Sequence, residues 1–125
     1  MTLRISTIKE FSFEAAHNLP GMGKCARNHG HSYRCQIAVS GNMTKDGIVI
    51  NFSDLSSICR GIEDMLDHED LNNVLNELPT AENIAAWIAE KASDELRKIN
   101  YNKSLHVISV KLWETANSHV YIEFR

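Results

Sequence analysis

The chain has 125 residues, 43% of them hydrophobic and 23% charged, which is the composition of a folded domain and excludes a disordered segment. At this length one core suffices, so residues 1–125 read as a single domain that needs no disulfide staples. Thirteen Lys and Arg against sixteen Asp and Glu leave a net charge of −3, with no overall basic field for nucleic acid or an anionic membrane. No apolar run approaches the roughly 20 residues that span a bilayer, and Met1 to Glu10 lack the apolar stretch of a signal peptide; a soluble cytoplasmic protein is expected.

In chain order, Phe11, Phe13, Ala15 and His17 share one parity, and Tyr33, Cys35, Ile37 and Val39 share another. These alternations predict two half-buried antiparallel strands. Asp46-Gly47 is a turn signal, and the apolar run Ile48 to Phe52 reads as a continuation of the hairpin system. Ser53 is the expected cap of a helix whose stripe is Leu55, Ile58, Cys59, Ile62 and Met65/Leu66. Pro79-Thr80 signals a second helix, capped by Thr80, with Ile84, Ile88, Ala92, Leu96 and Ile99 on one face over about 18 residues. His106, Ile108, Val110 and Leu112 then alternate, as do Val120, Ile122 and Phe124, with Thr115 to Ser118 as the hairpin loop. The expected architecture is ββααββ in the α+β class: a four-stranded antiparallel sheet with two helices on one face. No proline blunts the strands, which hints at edge-to-edge assembly.

Cys35 and Cys59 fall on apolar faces and read as core. Cys25 differs, because Lys24, Arg27 and His29 around it are the kinds of group that favour a thiolate. In His29-Gly30-His31 the two imidazoles are two residues apart on an extended chain, so they project together on the face of Tyr33 and Cys35. His17 ends the first strand with the parity of its apolar face, and hairpin pairing can bring it opposite. Three imidazoles with a vacant fourth position are the ligand set of a catalytic zinc site; the plainer alternative is a polar loop end and a strand-end histidine. Asp67-His68 follows the first helical stripe, where a carboxylate can orient an imidazole for acid–base work, or where a histidine simply ends a helix. Glu114 shares the parity of Val110 and Leu112, which aims a carboxylate at the apolar face or leaves it at a wet strand end.

Phe13-Glu14-Ala15-Ala16-His17, Cys25-x-x-x-His29-Gly30-His31-Ser32-Tyr33, Asp46-Gly47, Asn51-Phe52-x-Asp54-Leu55, Leu66-Asp67-His68-x-x-Leu71-Asn72, Pro79-Thr80-x-Glu82-Asn83 and Glu114-Thr115 occur in this order along nearly the whole chain. Together they resemble the 6-pyruvoyltetrahydropterin synthase / QueD family. The short Cys-x-x-x-His-Gly-His spacing is most similar to its 6-carboxytetrahydropterin synthases, which serve queuosine (7-deazapurine) biosynthesis. The resemblance implies a tunnelling fold (T-fold) assembled as a homo-hexamer, a dimer of trimers with active sites at subunit interfaces. It implies Zn²⁺ held by His17, His29 and His31, Cys25 as base, and Asp67 with His68 as proton relay. Glu114 would anchor the pterin edge, Thr80 would be a further substrate contact, and the triphosphate would rely on cations such as Lys24 and Arg27.

The resemblance also exposes departures: the seven residues Asn18–Lys24 form a shorter loop than in many relatives, and Ala81 stands where relatives often carry a hydroxyl. The reaction so implied is a carbon–carbon lyase turning 7,8-dihydroneopterin triphosphate into 6-carboxy-5,6,7,8-tetrahydropterin, acetaldehyde and triphosphate. The alternatives are a carbon–oxygen lyase, the pyruvoyl-forming synthase, which eliminates triphosphate and keeps all carbons, and a non-catalytic pterin- or metal-binding module.

Overall fold

Alternate burial and exposure of side chains carries the chain through two long strands, β1 (Ser6–His17) and β2 (His29–Ser40), in a computed structural model that describes residues 3–125. They pair antiparallel over their full length, from Ser6 opposite Ser40 to His17 opposite His29. Phe11, Phe13, Ala15 and His17 from β1, and Tyr33, Cys35, Ile37 and Val39 from β2, are buried on one face, as the alternation requires. The linking segment contains a short 3-10 turn, Gly23–Ala26, and enters it through Gly21 and Gly23 at φ +81° and +61°, values that glycine adopts without a Cβ clash.

Helix α1 (Phe52–Leu66) buries Leu55, Ile58, Cys59, Ile62 and Leu66 against the sheet, while Phe52 and Met65 face outward. Its N-cap is Asn51, and the expected cap Ser53 lies inside the first turn. Ile48 to Phe52 does not continue the hairpin system as expected: Ile48 to Asn51 lie outside any strand, and Phe52 opens α1. Val49 and Ile50 are buried, but the Asn102 carboxamide donates to the carbonyls of Asn42 (2.8 Å) and Val49 (2.9 Å), where a strand would have used a ladder. The Asp46-Gly47 turn is present, with Gly47 at φ +81°.

After α1 come two elements too short to have a period: β3 (Glu69–Asp70), which pairs parallel with Ala15–Ala16 of β1, and α2 (Leu71–Val74). Thr80 caps α3 (Ala81–Leu96) by accepting the Asn83 N–H at 3.1 Å. Ile84, Ile88, Ala92 and Leu96 are buried along α3, and Ile99 lies past its end. Each Ile or Leu so removed from water contributes about 1.5–3 kcal/mol against chain entropy.

Strands β4 (His106–Thr115) and β5 (Ser118–Glu123) complete a five-stranded mixed sheet of order β3-β1-β2-β4-β5. The architecture is α+β with the expected order of its main elements, but with one strand and one helix more than the four-stranded antiparallel expectation. A register shift against Ala38/Val39 of β2 reverses the parity at the start of β4, so Val107 is buried and Ile108 is not. Val120 and Ile122 pack on the core, whereas Phe124, past the end of β5, is exposed. No helix among the described residues is long and apolar enough to cross a membrane.

Candidate active site

The pairing of β1 with β2 sets His17 opposite His29, and the alternation places His31 beside them on the same face. The three rings stand edge to face, with centroids 4.7 to 5.1 Å apart, and one nitrogen from each lies within 4.8 Å of the others. His17 is fully buried and the other two are partly buried.

The hydrogen bonds behind the rings decide what the cluster can hold. His17 Nδ1 is 2.8 Å from the Pro79 carbonyl oxygen, and His29 Nδ1 is 2.7 Å from that of Arg27. A carbonyl only accepts, so each Nδ1 carries the proton and each Nε2 presents a lone pair. Those two Nε2 atoms are 3.1 Å apart. Two lone pairs cannot bond to one another, and a cation between them resolves the contact. His31 Nε2 is buried without an aligned hydrogen bond, although Glu114 Oε1 stands 3.1 Å away. Burial is the main cause lowering the His31 pKa from 6.5; Glu114 opposes it, and His17 and His29 reinforce it. Neutral imidazole is the form that ligates a metal. The donor set therefore fits a three-histidine metal site with an open fourth position, which among biological cations suits zinc.

Tyr33 lies beneath this cluster, its hydroxyl 3.3 Å from His17 Nδ1 and its ring stacked on Phe13 at 4.9 Å. Burial, and after it the charge of Glu114, pushes the Tyr33 pKa up, so it remains a phenol. Glu114, near the end of β4, aims at the same pocket, 3.1 Å from His31 Nε2 and 3.9 Å from His17 Nε2. Its expected inward direction is the observed one.

Asp67 and His68 join α1 to β3 at the edge of the sheet. One Asp67 oxygen accepts the Glu14 N–H at 2.8 Å, and the other is 2.9 Å from His68 Nδ1. The Glu14 N–H is the larger cause holding the Asp67 carboxyl below its ordinary range, followed by the His68 hydrogen bond. His68 has φ +60°, a left-handed conformation uncommon for a residue with a Cβ, and its N–H donates to the Glu14 carbonyl at 2.5 Å. Its side chain is 79% exposed. His68 and His31 both line a groove of about 430 Å³ across the ends of β1 and β2, together with Glu14 and Gly30.

Cys25 sits exposed in the 3-10 turn between the histidine-bearing strands, where its carbonyl accepts the Leu19 N–H at 2.6 Å. Neither Cys25 nor Thr80 lines the groove of His68. The Thr80 hydroxyl is engaged as the α3 cap. Thus the structure brings His17, His29, His31 and Glu114 into one side-chain cluster, and places His68, with Asp67 bonded to it, on a groove that His31 also lines. Sequence reading missed the carbonyls of Pro79 and Arg27 that set the tautomers, since a backbone acceptor leaves no signal in residue type.

A family model described as 6-pyruvoyl tetrahydropterin synthase matches residues 6–124. The 6-carboxy-5,6,7,8-tetrahydropterin synthase of Haemophilus influenzae is 36% identical over 137 residues, covering 88% of this chain and 92% of that protein. The dihydroneopterin monophosphate aldolase of Pyrococcus furiosus is 32% identical over 122 residues, covering 98% and 100%. Among solved structures, 6-pyruvoyl tetrahydropterin synthase of Caenorhabditis elegans superposes with a TM-score of 0.81 at 23% identity, covering 98% and 97%, which shows a shared fold.

Proposed function

The chain belongs to the 6-pyruvoyl tetrahydropterin synthase family, and from that premise we propose that it is a zinc-dependent carbon–carbon lyase, a 6-carboxytetrahydropterin synthase. Its reaction would take 7,8-dihydroneopterin triphosphate and water to 6-carboxy-5,6,7,8-tetrahydropterin, acetaldehyde and triphosphate. The observation that carries this reading is the three-histidine cluster, in which the carbonyls of Pro79 and Arg27 engage Nδ1 of His17 and His29 and leave Nε2 to face inward, in a chain whose relatives include named 6-carboxytetrahydropterin synthases.

His17, His29 and His31 would hold the metal, which when bound would polarise the side-chain oxygens of the substrate. Cys25 would remove a side-chain proton as thiolate. His68, oriented through Nδ1 by Asp67, would present its exposed ring to give or take the second proton. The Glu114 carboxylate would accept paired hydrogen bonds from the pterin edge, and the Thr80 hydroxyl would contribute a further contact. Placement of Asp67 and His68 on an open rim is in keeping with an active site completed by another subunit, in a cytoplasmic homo-hexamer serving queuosine biosynthesis. The outer edge of β1 before Glu14, which has no strand partner among the described residues, offers a surface for such assembly.

One finding favours a second reading: the aldolase of P. furiosus aligns with the chain end to end. The deciding experiment incubates zinc-loaded protein with dihydroneopterin triphosphate and, separately, the monophosphate. Acetaldehyde released in step with a carboxylated tetrahydropterin supports the proposal. A pterin that keeps its three-carbon side chain transfers it to the pyruvoyl-forming synthase, and cleavage of the monophosphate alone to the aldolase. No turnover of either compound would leave a binding module.

A further inference from the structure

We propose that Asn72 is a positioning residue for the metal centre, its carboxamide holding the backbone just beyond His17 so that the three histidines keep their spacing. The inference rests on the reading of His17, His29 and His31 as metal ligands. Asn72 Oδ1 accepts the Asn18 N–H at 2.8 Å, and Asn72 Nδ2 donates to the Asn18 carbonyl at 3.0 Å and to Asn18 Oδ1 at 3.2 Å. One side chain thus occupies both backbone groups of the residue after His17. Only a carboxamide offers the donor and the acceptor of a peptide unit side by side.

The geometry extends a ladder. β3 pairs with Ala15–Ala16, and the Asn72 carboxamide takes Asn18 one step further along the same edge. Asn72 is itself anchored, because its N–H donates to Asp70 Oδ1 at 3.1 Å. The His17 backbone is therefore clamped on both sides and its ring is held by the Pro79 carbonyl. Asn18 is also the root of the connection that carries Cys25 and leads to His29. Without the Asn72 clamp, one backbone anchor of the most deeply buried ligand is lost, and its Nε2 is no longer held 3.1 Å from that of His29.

The test titrates metal-free protein with zinc against a chelating dye. Asn72→Ala should bind zinc about 10–100-fold more weakly, the loss typical when a group supporting a ligand is removed, and the Asn18 amide should exchange with deuterium faster. Asn72→Asp keeps the acceptor and loses the donors, so its affinity should fall between; it carries the test should the alanine variant not fold. Asn73→Ala, at the exposed neighbouring position, should match the unaltered protein. Unchanged zinc affinity in folded Asn72 variants, even with a lower melting temperature, would show a packing role only and overturn the inference. If the unaltered protein itself takes up no zinc, the three-histidine reading fails and this inference with it.

Discussion

His17 Nδ1 lies 2.8 Å from the carbonyl oxygen of Pro79, a residue 62 positions further along the chain, and this one bond sets which nitrogen of the buried histidine faces His29 and His31. The site thus depends on the packing of α3 against the sheet as much as on the β1–β2 hairpin, since Pro79 immediately precedes the cap of α3.

The first consequence concerns metal content. Purified protein is expected to carry about one zinc per chain, and His29→Ala or His31→Ala should lose it, because two imidazoles hold zinc far less well than three. Elemental analysis of dialysed protein checks this. Full occupancy in both variants contradicts the assignment.

Cysteine reactivity separates the three thiols. Cys25 is exposed, while Cys35 and Cys59 are buried at 0% and 2% exposure. Burial pushes the Cys35 thiol well above its ordinary range and the Cys59 thiol up to about 11. Iodoacetamide near pH 7 should therefore label Cys25 first, read by peptide mass mapping. Cys25→Ala should keep zinc and lose turnover; an alanine variant as fast as the unaltered protein would place the base elsewhere.

Core packing gives a stability prediction. Ile88 is fully buried on α3 beneath the sheet, so Ile88→Ala should cost about 2–5 kcal/mol, the range for deleting a large aliphatic side chain from a close-packed core. Urea unfolding measures the difference. A loss below about 0.5 kcal/mol, the range of ordinary surface changes, would mean that α3 does not seal the core as described.

The strand and helix faces that form the core are legible because each repeats over several residues: Phe11 to His17, Tyr33 to Val39, and Leu55 to Leu66. The His-x-His pair was legible because extended chain has a period of two. Elements without a period were not. β3 is two residues long, and its pairing with Ala15–Ala16 is a tertiary event. The bulge opposite Ala38/Val39 moves burial from Ile108 to Val107, and no residue type announces it. Ile48 to Phe52 reads as more of the hairpin system because apolar runs record burial alone; the Val49 carbonyl instead accepts from Asn102, which is 8% exposed, and the Asn51 N–H donates to the Tyr101 hydroxyl. For the site, residue types revealed the ligands but not their supports.

Acid sensitivity should trace in part to Asp67. The folded chain holds this carboxyl below its ordinary value of 3.8, chiefly through the Glu14 N–H and then through His68. A depressed native pKa gives stability that is present above the unfolded value and lost as pH falls through the native one. Asp67→Asn keeps an oxygen for the Glu14 N–H and abolishes the titration. Its urea midpoint should fall less steeply than that of the unaltered protein as pH drops below about 4. Parallel pH profiles for the two proteins would show that the Asp67 contacts do not contribute to folding stability in water.

Glu114 makes the sharpest test, because its position admits two roles. Its Oε1 stands 3.1 Å from His31 Nε2 and 3.9 Å from His17 Nε2, close enough for a fourth ligand beside the three imidazole nitrogens, which lie within 4.8 Å of one another, and equally placed to meet a substrate at the cluster. A carboxylate that anchors a pterin edge acts through charge-assisted hydrogen bonds worth about 1.5–3 kcal/mol, roughly a 10- to 150-fold change in affinity. Glu114→Gln keeps the shape and one acceptor and removes the charge. If Glu114 recognises substrate, the variant should keep its zinc and bind the pterin substrate more weakly by that factor, read as a raised Kd in equilibrium binding with zinc-loaded protein. If the variant instead loses zinc while the histidines are intact, the carboxylate belongs to the metal, and recognition of the pterin edge falls to another residue.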